Sequence, residues 1–194
     1  MPTTERLNKL TKVASFRQFS LRVVLENIHD PHNVSAIFRS CDAVGVPKVS
    51  LVYTIEKFPR IGKKSSASAF KWVEKMREPS IPDCYQNLKN EGFTIYASSC
   101  NPEAKSLYEY DFTGKVAIVM GNEHRGISQE AEKLADHLYF IPMRGMVQSL
   151  NVSVAAAVTL YEIARQRSLL GQYSEELSKN EKTQELIEQW SNKR

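Results

Sequence analysis

Hydrophobic patterns typical of strands alternate along this chain with patterns typical of helices, and this alternation limits its fold more than any other feature. The run "LRVVLENI", from Leu21 to Ile28, is typical of a buried strand. Apolar residues then recur at helical spacing, through Val34 and Phe38, until Gly45 provides a helix stop. Because strands that alternate with helices form parallel sheets covered on both faces, the pattern predicts an α/β fold with a mostly parallel sheet flanked by helices.

The same alternation continues through the middle of the chain. Four more predicted strands are "KVSLVYT", "FTIYASS", "KVAIVMG" and "HLYFI". Two more predicted helices span residues 82–91 and 128–135, and the segment "FKWVEKM" fits either a short edge strand or an irregular stretch. We therefore assign residues 21–170 to one core domain.

Helical patterns also precede and follow this core. A helix within an N-terminal extension of residues 1–20 is predicted by Leu7, Leu10, Val13 and Ala14. A C-terminal extension of residues 171–194 has a second amphipathic pattern, formed by Leu177, Leu186, Ile187 and Trp190. Such stripes dock on the parent domain or on a second subunit.

Composition narrows the class of protein. The 194 residues are enough for one substantial core, since domains commonly have ~100–200 residues. The three cysteines, Cys41, Cys84 and Cys100, are odd in number and lack CxxC spacing, which favours a reducing cytoplasm over a disulfide scaffold or a zinc ribbon. No apolar run approaches the ~20 residues of a membrane span. We expect a cytoplasmic protein with no membrane segment.

Charge gives a weaker indication about partners. The formal net charge of +4 and the sequence pI of about 8.9 modestly favour a polyanionic partner. Four cations crowd one predicted loop, and they are Lys57, Arg60, Lys63 and Lys64. Charge alone favours an ordinary solvated loop there.

Polar segments follow four of the predicted strands. They are "ENIHDPHN", "SSCN", "GNEHRG" and "PMRGMVQSLN". Because ligands of open parallel sheets bind beyond the carboxyl ends of the strands, these segments could converge on one crevice. The stretch "GNEHRGIS" is similar to a phosphate-binding P-loop, but Ile127 stands where the lysine is required. This difference argues against nucleotide hydrolysis.

Three longer segments occur in the order "ENIHDPHNVSAIFRSCDAVGV", "VAIVMGNEHRGIS" and "IPMRGMVQSLNVSVAAAVTLYE". Together they resemble the signature motifs of the SpoU/TrmH family of RNA ribose 2′-O-methyltransferases, over roughly residues 20–170. The TrmH type, which modifies a guanosine in the D-loop of tRNA, fits best. The resemblance implies S-adenosylmethionine as methyl donor, a homodimer, and a SPOUT fold whose C-terminal part is threaded into a deep trefoil knot.

The resemblance also implies a cofactor site. The positions that match it are Ser98, Gly121, Ile141 and Leu150. The loop from Ile141 to Leu150 is expected to hold the adenine with its backbone amides and carbonyls. Met143, Met146 and Leu150 are expected to form apolar walls, although without the motifs the two methionines would be interpreted as ordinary core residues.

Five residues match the family's catalytic positions, and they are Asn33, Arg39, Glu123, Ser149 and Asn151. A ribose 2′-hydroxyl is a weak acid, so the site must remove its proton and stabilise the resulting oxygen. Family proposals assign the deprotonation to the arginine, but a charged guanidinium has no acceptor. We hypothesise that Arg39 binds a neighbouring phosphate and stabilises the developing alkoxide, while phosphate, water or another acceptor takes the proton. Ser149 and Asn151 can orient the ribose or its phosphate.

Several of these residues also have purely structural interpretations. Asn33 and Asn151 could each be the N-cap of the helix that follows. Arg39 could form an ion pair with Asp42, and Glu123 could be an ordinary surface carboxylate. The three motifs together favour the catalytic interpretation.

His29 and His32 lack a cysteine or carboxylate at plausible ligand spacing, so we expect no metal.

The short segment before the core favours tRNA over ribosomal RNA, whose modifying enzymes often add an N-terminal RNA-binding domain. Cations of the terminal helices, which could extend a basic surface along tRNA, are Arg6, Lys9, Lys12, Arg17, Lys193 and Arg194. A ribosomal RNA methyltransferase and a non-catalytic RNA-binding protein stay open as alternatives.

Overall fold

The computed structural model describes residues 3–61, 69–174 and 180–193, and in these ranges seven strands form one sheet with every neighbouring pair parallel. In chain order the strands are β1 (Leu21–Glu26), β2 (Lys48–Val52), β3 (Glu74–Glu78), β4 (Thr94–Ser98), β5 (Lys105–Ser106), β6 (Val116–Met120) and β7 (His137–Phe140). Across the sheet their order is β3-β2-β1-β6-β4-β7-β5. Every residue of β1 is buried, because this strand pairs with β2 on one side and β6 on the other.

Helices cover both faces of the sheet. They are α1 (Thr4–Ser15), α2 (Pro31–Ala43), α3 (Ala69–Trp72), α4 (Ile81–Asn90), α5 (Gln129–Leu134), α6 (Val152–Leu169) and α7 (Glu181–Ser191). On one face α2 and α6 pack against Leu21, Val23 and Leu25 of β1. On the other face α4 and α5 pack in a second core that includes Val24. The predicted α/β fold with a mostly parallel sheet flanked by helices is confirmed.

Differences from the sequence prediction lie in short or polar segments. The stretch "FKWVEKM" contains most of the one-turn helix α3 and the start of β3, a largely exposed edge strand. The strand β5 has two residues, which is too short to show any hydrophobic period. A 3₁₀ turn at Leu107–Glu109 follows it.

The first turn of α2 differs from the prediction for Asn33. Asp30 is the N-cap, and its Oδ1 accepts a hydrogen bond from the backbone N–H of His32 at 2.7 Å. Pro31 occupies the first helical position, where no backbone N–H is needed. The N-cap interpretation of Asn33 is therefore wrong. Asn33 lies buried inside the first turn, and its side chain makes other contacts.

The two terminal helices pack against each other. Leu10 and Ala14 of α1 contact Ile187 and Trp190 of α7 in a small core separate from the two sheet cores. The buried parts of the two predicted apolar stripes therefore have each other as partners, whereas Leu7 and Val13 of the N-terminal stripe are exposed. Leu177, which was part of the C-terminal stripe, lies outside the described residues.

The carboxylate of Asp42 pairs with Arg17 and not with Arg39. The Arg17 side chain is completely buried, and its guanidinium carbon lies 5.0 Å from the centroid of the Trp190 ring. The predicted Arg39–Asp42 ion pair is therefore wrong. Arg39 is exposed, and it makes no hydrogen bond or ion pair in the part of the chain that the structure describes.

Part of the predicted basic loop can be placed. Lys57 and Arg60 are exposed, whereas Lys63, Lys64 and also Arg194 lie outside the described residues.

In the described ranges, no helix has the length and apolar character needed to cross a membrane.

Candidate active site

A cavity of about 1010 Å³ opens at the carboxyl edge of the sheet. It is as large as the upper end of typical small-ligand pockets, ~300–1,000 Å³. Its lining includes residues 98–102 and 120–127 together with parts of 140–155, which follow β4, β6 and β7. The segment after β1 reaches the same place through Glu123. The structure thus brings together all four polar segments that the sequence singled out.

A tight turn follows β6. Asn122 and Gly126 exchange two backbone hydrogen bonds, of 2.8 and 2.9 Å, which fold this segment back on itself. A Cβ on Gly121 would lie 2.2 Å from the carbonyl carbon of Gly126 and 2.2 Å from the backbone nitrogen of Ile127. Only glycine permits so close an approach of two backbone segments.

The turn presents Glu123 to the start of α2. Its Oε2 accepts from the backbone N–H of His29 at 3.0 Å, and its Oε1 accepts from the N–H of Asp30 at 3.0 Å and from Asn33 Nδ2 at 2.9 Å. Desolvation by burial acts to raise the pKa of Glu123, but the donors from Asn33, His29 and Asp30 outweigh it and hold the pKa below its ordinary value. Glu123 is therefore an anionic anchor and not a free surface carboxylate.

A row of hydrogen bonds continues from Asn33 to α6. Asn33 Oδ1 accepts from Asn151 Nδ2 at 3.0 Å. Asn151 Oδ1 accepts from the backbone N–H of Ser153 at 2.9 Å, so Asn151 is the N-cap of α6, as predicted. Because an ionised carboxylate only accepts, Glu123 fixes the orientation of the Asn33 amide, which in turn fixes that of Asn151.

The residues predicted to bind the cofactor lie together. Four of them line the cavity, and they are Ser98, Gly121, Ile141 and Leu150. Ser149 and Met143 also line it. Met146 does not, because its side chain points into solvent and is 99% exposed. The prediction that Met146 forms a cavity wall is wrong.

Most of the loop between β7 and α6 lacks backbone hydrogen bonds to the part of the chain that the structure describes. Residues 142–149 make no backbone hydrogen bond to any described residue. The turn after β6, by contrast, is closed by its own backbone hydrogen bonds. Since backbone N–H and C=O groups need partners when water is displaced, this loop can offer them to a ligand in the cavity.

Arg39 lies apart from the other predicted catalytic residues. It follows Asn33 by six residues, which is roughly 9 Å along the helix axis, and it does not line the cavity. The structure brings Glu123, Asn33 and Asn151 together and places Ser149 on the cavity wall. Arg39 is on the exposed surface of α2.

Asn27 is a site residue that the sequence analysis missed. Its φ of +51° lies in the left-handed region, which asparagine tolerates better than most residues. Its Oδ1 accepts from three consecutive backbone N–H groups, those of residues 54–56, at 3.0, 3.0 and 3.1 Å. Its carbonyl oxygen accepts from Asn122 Nδ2 at 2.8 Å. Asn27 thus joins the ends of β1, β2 and β6, and an asparagine directly after an apolar strand was the available signal.

A second missed cluster lies on the β4 side of the cavity. The carboxylate of Glu132, in α5, accepts from the Ser99 hydroxyl and from Asn101 Nδ2, the latter at 3.5 Å. All three residues line the cavity. The sequence pointed to "SSCN" as a strand end, but nothing in its pattern showed that a carboxylate from a later helix would join it.

The two histidines after β1, His29 and His32, have different surroundings. His29 Nδ1 lies 3.3 Å from Glu56 Oε2, and His32 is exposed. Among the described residues, no group of three or more histidine, cysteine, aspartate or glutamate side chains is placed to hold a metal ion.

The segments that build the cavity also carry the family signature. The profile described as the SpoU rRNA methylase family matches residues 20–161, which is most of the chain and contains the cavity lining. The chain therefore belongs to the SpoU rRNA methylase family. The resemblance inferred from the three motifs is confirmed.

Individual relatives narrow the comparison. A tRNA (guanosine(18)-2′-O)-methyltransferase of Thermus thermophilus is 42% identical over 191 residues, which cover 98% of each chain. The crystal structure of the A. aeolicus TrmH/SpoU tRNA modifying enzyme has a TM-score of 0.89 at 37% identity, covering 96% of this chain and 95% of that one. The structure of the SpoU methyltransferase AviRb from Streptomyces viridochromogenes, in complex with the cofactor AdoMet, has a TM-score of 0.70 at 26% identity. The match covers 87% of this chain and 67% of that one.

Proposed function

We propose that this chain is an enzyme that methylates the 2′-hydroxyl of guanosine 18, in the D-loop of tRNA, with S-adenosylmethionine as donor. The observation that carries the proposal is the 42% identity, over 98% of both chains, to a relative whose name states the guanosine-18 reaction. That match includes the terminal helices as well as the core. A match confined to the core would leave the RNA target open.

The cavity suits S-adenosylmethionine. Ile141, Met143 and Leu150 supply apolar surface, and the unpartnered backbone of residues 142–149 supplies donors and acceptors for the edge of an adenine. AviRb, which has the same fold class, was solved with AdoMet bound. When bound, the cofactor supplies an electrophilic methyl group on a positively charged sulfur.

The row from Glu123 to Asn151 suits the acceptor ribose. Asn33 and Asn151 each use one amide N–H within the row, so the second N–H of each is left for a substrate oxygen. Ser149, on the cavity wall, can orient the ribose or its phosphate. Glu123 acts by positioning Asn33, since its own oxygens already accept three hydrogen bonds.

Arg39 has the chemistry to bind a phosphate. Its planar fork of donors matches two phosphate oxygens, and no described residue competes for it. In this proposal Arg39 stabilises the alkoxide that develops as the 2′-hydroxyl loses its proton to phosphate, water or another acceptor. Replacing Arg39 with lysine keeps the positive charge and removes the planar pair of donors. Near-normal turnover of that variant would therefore count against a bidentate contact with phosphate.

We also propose a homodimer in which each site receives Arg39 from the partner subunit. Arg39 is roughly 9 Å along α2 from Asn33 of its own chain. The neighbouring helix α6 exposes apolar side chains on one stripe, with Val154 47% and Tyr161 59% exposed. A second copy that covers this stripe would lie beside α2.

The trefoil knot belongs to the same proposal. β7 lies between β4 and β5, and the chain then leaves the α5 face of the sheet for the α6 face. This path passes the carboxyl edge beside the segments after β4 and β6, where a knot crossing would have to lie.

The organisation of the chain supports a tRNA-binding enzyme of the cytoplasm. We retain a core of residues 21–170 with extensions 1–20 and 171–194, the two extensions being packed together through α1 and α7. Arg6 and Lys9 are exposed on α1, where they could meet RNA phosphates. The three cysteines are free thiols, as a reducing compartment maintains them.

Methyl transfer from labelled S-adenosylmethionine to unmodified tRNA transcripts tests the proposal, with mass spectrometry to locate the modified ribose. We expect label on guanosine 18, none on a transcript with deoxyribose at that position, and none with the Arg39→Ala variant. If ribosomal RNA were labelled and tRNA were not, the substrate would be ribosomal RNA and the tRNA assignment would be wrong. Cofactor binding without labelling of either RNA would favour a non-catalytic RNA-binding protein.

A further inference from the structure

We propose that Glu132 binds the two ribose hydroxyls of S-adenosylmethionine, with Ser99 and Asn101 holding its carboxylate in place. This inference rests on the proposed function, because it assigns a further contact of the same cofactor. Nothing in the three motifs points to Glu132, which lies in α5 between the second and third of them.

Two carboxylates line the cavity, and they differ in how they are used. Glu123 faces the segment after β1 and accepts three hydrogen bonds there. Glu132 lies on the β4 side, is only partly buried, and accepts two. Glu132 is therefore the cavity carboxylate with more acceptor capacity left for a ligand.

The arrangement of this capacity fits two adjacent hydroxyl groups. A carboxylate has about four acceptor positions, two on each oxygen. Ser99 uses one position on Oε1, and Asn101 uses one on Oε2 through a long 3.5 Å contact. One position is left on each oxygen, which is enough for one hydrogen bond from each of the 2′- and 3′-hydroxyls of a ribose. Acidic side chains near a strand end bind ribose hydroxyls in dinucleotide-binding α/β folds for the same reason.

The supporting residues are themselves fixed. Ser99 Oγ accepts from the backbone N–H of Asn101 at 3.0 Å and donates its only proton to Glu132. Asn101 Oδ1 accepts from the backbone N–H of Glu103 at 2.9 Å, which turns the amide nitrogen toward Glu132. The carboxylate is thus held before a ligand arrives, and little ordering is needed on binding.

Calorimetric binding of S-adenosylhomocysteine, without RNA and without turnover, tests the inference. Its 2′-deoxy and 3′-deoxy analogues are compared with it on the wild type, on Glu132→Gln, and on Glu130→Gln. Glu130 is a matched control because it lies on the same helix turn, is exposed and does not line the cavity. Circular dichroism melting of each variant checks that it is folded.

We expect the wild type to bind the ribose form on the order of tenfold more tightly than either deoxy analogue, as for a lost hydrogen bond to a charged group. Glu132→Gln should weaken binding of the ribose form by a similar factor and remove the preference, while Glu130→Gln should match the wild type. Equal weakening of the ribose and deoxy forms, or no weakening, would overturn the role of Glu132 and leave the proposed function standing. A wild type that binds none of these nucleosides would overturn the cofactor assignment itself.

Discussion

Asn33 donates a hydrogen bond to Glu123 over 2.9 Å, and this bond joins the first turn of α2 to the turn after β6. The two residues are 90 positions apart in sequence and come from different motifs. Their contact makes the orientation of the Asn33 amide depend on the charge of Glu123.

Replacing Asn33 with aspartate should disrupt the site more than replacing it with alanine. The aspartate has nearly the same shape, but it puts a second negative charge against Glu123 and removes the donor. We expect turnover to fall at least ~100-fold, since the Asn33 contact positions reacting groups. Steady-state methyl transfer and thermal unfolding measure both effects, and an aspartate variant more stable than the alanine variant would contradict the contact.

The contribution of Glu123 to stability should depend on pH. Its pKa is lower in the folded chain than its ordinary value of 4.5, so its stabilising effect is present above that value and is lost as the pH falls through the folded pKa. The difference in unfolding free energy between the wild type and Glu123→Gln should therefore be largest near neutral pH and shrink below about pH 4.5. Urea unfolding at a series of pH values measures it. A difference that grows on acidification would show that the hydrogen bonds to Glu123 do not favour its charged form.

Gly121→Ala should prevent the turn after β6 from closing. The added Cβ would lie 2.2 Å from backbone atoms of Gly126 and Ile127, which cannot move without opening the turn. We expect a loss of at least ~1–3 kcal/mol in unfolding free energy and a large loss of cofactor affinity. Gly114→Ala is the control, because a Cβ there meets nothing within 4 Å. A Gly121→Ala variant that binds the cofactor normally would mean that the turn is not part of the site.

Mixed dimers can show where Arg39 acts. Arg39→Ala and Asn33→Ala should each be inactive alone. If the two residues of one site come from different subunits, a dimer with one of each variant has one intact site, and an equal mixture after subunit exchange should regain about a quarter of the wild-type activity. Activity that stays at the level of the separate variants would place both residues in the same subunit.

The parts of the fold with a clear hydrophobic period could be predicted from sequence. β1, β2, β4 and β6 are mostly buried apolar runs, and β7 is a short apolar run of which only Tyr139 is buried. The ends of all five strands agree with the prediction to within about two residues, which is the usual uncertainty of element boundaries. β3 has the polar sequence "EKMRE", because an edge strand that faces solvent needs no apolar alternation. The order of the strands was not predictable, since periodicity says nothing about which strands are neighbours.

At the site, the positions and partners of single side chains were also only partly predictable from sequence. Asn33 was identified from its motif, but its structural alternative failed because Asp30 and Pro31 begin the helix one turn earlier. Asp42 has its partner in Arg17, 25 positions away, and a rule for neighbours on one helix cannot find such a contact. Met146 is apolar yet exposed, since the loop that carries it has no core behind it in this chain.

The packing of α1 against α7 has a consequence for biosynthesis. Because α1 precedes α7 by about 170 residues in the chain, the apolar surface of Leu10 and Ala14 is covered by Ile187 and Trp190 only after most of this sequence has been translated. The guanidinium of Arg6 also bonds the carbonyl of Lys193, which brings the two ends of the described chain side by side. A circularly permuted gene that joins these ends by a short linker would make the two helices consecutive, and they could then pair during translation instead of after it.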